Sequence, residues 1–74
     1  MDYSDKCLET KDGKRYIVIE QVNYEGNAYL YLVNGSNEMD AMFVKMEGEN
    51  MTKIDPELFE KVLFPMFVEK FKNN

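Results

Sequence analysis

The chain has 74 residues and a net charge of −5, from nine Lys and Arg against fourteen Asp and Glu. That length is one domain, and a domain of this size buries only roughly 60–65% of the surface its unfolded chain exposes. One cysteine and no histidine exclude an intrachain disulfide and a Cys/His metal cage. The acidic balance argues against generic phosphate binding, and 45% apolar content separates the chain from disordered ones.

The opening "MDYSDKCLET" has no basic stretch followed by an apolar run, so no secretory signal is expected there. No apolar run approaches the ~20 residues of a membrane span. A lone thiol without an export signal fits a reducing cytoplasm. "KCLET" (6–10) is a thin first strand, joined through the tight-turn signal "DGK" (12–14) to "RYIVIEQV" (15–22). In that second strand Tyr16, Val18 and Val22 are expected on one face, with Ile17 and Ile19 on the other. "NYEGN" (23–27) is the next turn, and "AYLYLV" (28–33) the next strand. Ala28, Leu30 and Leu32 share one of its faces, and Tyr29, Tyr31 and Val33 the other.

These two strands are apolar on both faces, where a one-sided sheet alternates more cleanly. One face is expected to take a helix, and the other to be partly covered by tyrosines whose hydroxyls reach water. "NGSNEMD" (34–40) reads as a longer turn. The strand 41–47 follows, with Met42, Val44 and Met46 opposite Phe43, Lys45 and Glu47. "GEN" (48–50) turns into a short last strand, 51–54. Consecutive short strands with short turns predict an antiparallel meander of four or five strands.

A helix is predicted over 56–72. Asp55 is a favourable N-cap and Pro56 suits the first helical position. Glu57 and Glu60 sit near the positive end of the helix dipole, Lys70 and Lys72 near the negative end. Leu58, Phe59, Val62, Leu63, Met66 and Phe67 form a full core-facing stripe. Phe64, Val68 and Phe71 fall outside it as a surplus, and Pro65 is expected to kink the helix between the two groups. Two explanations compete. The kink returns Val68 and Phe71 to the core, or the three residues form an exposed patch for another molecule, most simply a second copy.

Tests for chemistry come out empty. No histidine partners a serine, and Cys7 beside Lys6 reads as an incidental apolar residue. Asn34, Ser36, Glu38 and Asp40 alternate like half of a calcium loop. Met39 and Lys45, however, stand where that loop needs glycine and a bidentate glutamate. No glycine-rich phosphate loop is present. The tyrosines of the central hairpin lie among mixed charges, so sheet packing or a protein surface explains them better than base stacking.

The motifs Asp12-Gly13-Lys14, Tyr16, Val18, Tyr24, Gly26, Tyr29, Leu32 and Ile54-Asp55 come in an order that resembles the YrzB-like family of small, acidic, uncharacterised proteins of Gram-positive bacteria. The resemblance spans about residues 8–71 and implies a fold and a bacterial cytoplasmic setting, without an activity.

The residues therefore predict an α+β domain across 1–74, an antiparallel sheet with one C-terminal helix packed on one face. The expected function is a small non-catalytic protein-interaction module, self-associating or binding another protein, without cofactor, metal, direct nucleic-acid contact or membrane. Phe64, Val68 and Phe71 are the candidate surface, with Tyr29 and Tyr31 as a second one. The alternative is an acidic inhibitor or nucleic-acid mimic that binds a basic protein surface, which needs carboxylates ordered on one face.

Overall fold

The computed structural model describes residues 2–3 and 6–73; Met1, Ser4, Asp5 and Asn74 lie outside the described residues. Among the described residues, five strands run in sequence order through one antiparallel sheet: β1 (Cys7–Glu9), β2 (Arg15–Tyr24), β3 (Asn27–Asn34), β4 (Asn37–Glu47) and β5 (Asn50–Thr52). The helical segment follows as α1 (Pro56–Leu58), a π-helical turn (Phe59–Leu63) and α2 (Phe64–Lys72). The fold is thus an α+β meander with a C-terminal helix.

Turn chemistry sets the hairpins. Between β2 and β3 only Glu25 and Gly26 are unpaired, at φ of 50° and 81°. Positive φ at both positions matches the right-handed twist of the flanking strands. Between β3 and β4, Asn34 pairs with Asn37 across Gly35 and Ser36, inside the longer turn expected over 34–40; Val33 then pairs with Ala41, so the register shifts and Glu38, Met39 and Asp40 bulge from the ladder. Two side chains make this possible: Asn34 Oδ1 accepts from the Ser36 N–H at 2.8 Å, and Asn37 Oδ1 from the Met39 N–H at 3.1 Å. Each asparagine supplies locally the acceptor that a wider turn would have drawn from water.

The register of β2 against β3 corrects the facing expected from simple alternation. Val18 pairs with Leu32 and Glu20 with Tyr31, so Ile19 is an extra residue, a β-bulge. Before the bulge, Tyr16 and Val18 join Leu30, Leu32, Val44 and Met46 in one buried cluster. After it, Val22 turns to the other face and joins Tyr29, Leu63 and Phe67 in a second cluster. The sheet therefore carries two cores, one on each side.

The expected roles of the faces are exchanged. Helix residues gather with the aromatic side chains, not with the Leu/Met face. The Phe67 ring stands edge-on to Phe43 at 4.9 Å, and Phe59 lies 4.8 Å from the same ring. Tilted and edge-on ring pairs at these separations add to the gain from area alone. The Leu/Met cluster contains no helix residue; the sheet curls over it, and Tyr3 closes it. The Tyr3 backbone N–H donates to Gln21 Oε1 at 2.8 Å, and its hydroxyl donates to the Gly48 carbonyl at 3.0 Å. Tyr3 is thereby fastened to β2 and to the β4–β5 turn at once. Nothing in the sequence pattern singled out Tyr3, because it belongs to no periodic segment.

The helix starts as predicted, with Asp55 Oδ2 accepting from the Leu58 N–H at 3.2 Å and Pro56 just inside. Where a kink at Pro65 was expected, the departure from α geometry is the π turn that ends two residues earlier, with the Phe64 N–H bonded to the Phe59 carbonyl. The wide turn lies where the ladder is about to lose a donor and the Lys61 carbonyl must clear the proline ring.

Tyr3 gives this architecture a direct test. Tyr3→Phe loses one hydrogen bond and is expected to cost about 1 kcal/mol, whereas Tyr3→Ala opens the Leu/Met cluster and costs about 3 kcal/mol. Urea unfolding of both variants measures this; equal and negligible losses would mean that Tyr3 closes nothing.

Candidate protein-interaction surface

The five residues singled out in sequence end in different places. Tyr29 is only 3% exposed and pairs with Val22 in the buried cluster, so it is a core residue and offers no surface. Tyr31 is half-buried, with its ring 4.8 Å from Phe43 and 5.6 Å from Phe71. Phe64 remains 48% exposed and Phe71 39%, while Val68 is half-buried. Neither of the two competing explanations describes all three. Phe71 leans on Tyr31 and on Phe67 (6.2 Å), yet keeps a large part of its ring in water. Phe64 touches the rest of the molecule through Phe59 at 5.7 Å.

The sheet adds apolar surface that the sequence reading did not assign. Two residues along β3 from Tyr31, Val33 lies on the same face, paired with Ile17 on one side and Ala41 on the other. Ile17 is 47% exposed, and the bulged Ile19 50%. The available signal was the two-sided apolar character of β2 combined with a single helix, which is too short to cover a whole sheet face.

Polar groups gather at the β3–β4 end of the other face. The Tyr16 hydroxyl donates to Asp40 Oδ2 at 2.8 Å, and Asn34 Nδ2 donates to the same oxygen at 3.1 Å. Donation from Asn34 first, and from Tyr16 second, holds the Asp40 carboxyl below its ordinary value against the opposing effect of burial. The same bond raises the Tyr16 phenol, since ionisation would set two negative charges together. Asp12 is likewise lowered, first by the hydroxyl of Thr10. Sequence reading had placed Asp40 in a turn; its place in β4 is what brings it over Tyr16.

This trio ties the start of β2 to the β3–β4 end of the sheet. The hollow of about 500 Å³ at the end of α2 is lined by Glu20, Val22, Met66, Glu69, Lys70 and Asn73. Another, of about 380 Å³, is formed by Phe43, Lys53, Ile54, Pro56 and Phe59. Among the described residues no three His, Cys, Asp or Glu side chains converge as a metal site, and Cys7 is exposed on β1. Among the same residues no helix is long and apolar enough to cross a membrane.

The Asp40 contacts carry a pH prediction. A carboxyl whose folded-state pKa lies below its unfolded value contributes stability above that unfolded value, and loses it as pH falls through the folded one. The ordinary value is 3.8, so the loss falls below that pH. Asp40→Asn is expected to flatten the acid side of the melting-temperature profile. A profile with the acid slope of the unsubstituted protein would show that Asp40 contributes nothing there.

Compared with family models, with curated proteins and with solved structures, the chain has no match in any of the three.

Proposed function

We propose that this chain is a small non-catalytic protein-interaction module that self-associates through the exposed stripe Phe64, Val68 and Phe71, with Tyr31 and Val33 at its border. One observation carries the reading: two phenylalanines one heptad apart on α2 stay exposed on the same helix face, although buried clusters form on both sides of the sheet. Large apolar side chains that recur along one helix face and remain in water mark a site of association. The helix packing on one face of the sheet belongs to the same reading, since Leu63 and Phe67 hold α2 down and so fix the direction of the stripe. Kinship with the YrzB-like family is a further part of the proposal, supported by the turn motifs Asp12-Gly13 and Glu25-Gly26 and by the cap at Asp55.

Light scattering over a wide concentration range is expected to give twice the 8.7 kDa of one chain. Phe64→Ser/Phe71→Ser is expected to return the mass to that of a folded monomer. The second substitution also removes a ring contact with Tyr31, so a fold cost of about 1–2 kcal/mol accompanies it. An unchanged dimer would move the interface elsewhere, and an unfolded chain would place these rings in the core.

A further inference from the structure

The helix that carries the stripe is electrically asymmetric. Glu57 and Glu60 lie toward its start, and Lys70 and Lys72 at its end. Glu57 is occupied, with its Oε1 accepting from Lys61 Nζ at 2.9 Å. Glu60 and Lys72 are both exposed, and neither has an ion-pair partner among the described residues. Glu60 stands one turn before Phe64, and Lys72 one turn after Val68, so the two open charges bracket the apolar stripe on its own side of the helix.

We infer that the occupant of the stripe is a second copy of this chain, docked with its α2 antiparallel to the first and with Glu60 of each copy facing Lys72 of the other. This rests on the self-association reading above. A twofold axis crossing the stripe at the level of Met66 sets Phe64 of one copy opposite Val68 of the second copy. The same operation sets Glu60 opposite Lys72, six positions to either side of Met66, and repeats both contacts by symmetry. The charge pattern selects this direction. A parallel arrangement about a twofold axis would put Glu60 against Glu60 and Lys72 against Lys72, with the two helix dipoles aligned. The antiparallel one pairs opposite charges at both ends and opposes the dipoles. Burial of the Phe64 ring of each copy against Val68 of the other holds the copies together, and the charges at the rim fix the direction.

The test uses Glu60→Lys and Lys72→Glu in the full chain, followed by sedimentation equilibrium. Each variant alone converts both symmetric attractions into repulsions, and is expected to weaken the dimer about tenfold at low salt, with partial recovery at high salt. Mixed in equal amounts, the two variants are expected to form a heterodimer as tight as the unsubstituted protein, because every Lys then meets a Glu. Circular dichroism of each variant confirms that its monomer is folded. If both variants dimerise like the unsubstituted chain while Phe64→Ser/Phe71→Ser does not, the antiparallel arrangement is wrong and self-association stands. If the unsubstituted chain is a monomer at every concentration, both readings fall.

Discussion

Strand β3 is apolar on both sides, and the described residues form one helical segment, at the C-terminal end, with which to cover it. Leu30 and Leu32 are fully buried on one face, and Tyr29 lies beneath the helix residues on the other. Most of what is unusual in the structure follows from meeting both demands. The bulge at Ile19 lets β2 serve the Leu/Met face with Tyr16 and Val18 and the helix face with Val22, which a regular strand could do only with residues of opposite parity. The sheet curls over the first face, and Tyr3 closes what the curl leaves open.

Rings link helical residues to the strands. Phe59, Phe67 and Phe71 each contact Tyr31 or Phe43 within 6 Å, which ties the direction of α2 to the β3–β4 pair. The cost of one helix is incomplete coverage: Ile17 and Ile19 on the sheet and Phe64 and Phe71 on the helix stay in water. In a small domain that exposure weighs heavily, since little other surface is buried to offset it. Association, if the proposed role holds, would remove the deficit without a larger core.

The strands and the helix were legible because their signals are local. Asp12-Gly13 and Glu25-Gly26 mark turns by backbone conformation, and Asp55-Pro56 marks a helix start by hydrogen bonding and fixed φ. The facing of β3 and β4 followed from alternation for the same reason. The failures are mostly non-local. Alternation carried across Ile19 misplaced Val22, since a bulge is chosen by the pairing partner and leaves little mark on its own strand. The helix was expected on the face opposite the tyrosines, whereas ring pairs link its residues to Tyr31 and Phe43. Asn34 and Asn37 set a tight turn inside a segment that polar composition had made one long turn. Of the candidate surface, the helix stripe was readable from its period. Tyr29 was not separable from Tyr31, because full burial of one tyrosine and half-burial of the other depend on tertiary neighbours.

The most direct measurement is a dilution series of two-dimensional NMR spectra of the full chain, which reports on every residue separately. Signals of Glu60, Phe64, Val68, Phe71 and Lys72 are expected to move with concentration, while those of Leu30 and Leu32 in the closed core stay fixed. Spectra that do not change with concentration, or changes confined to the β1 and β5 edges, would contradict the assignment of the helix stripe as the surface through which this domain associates.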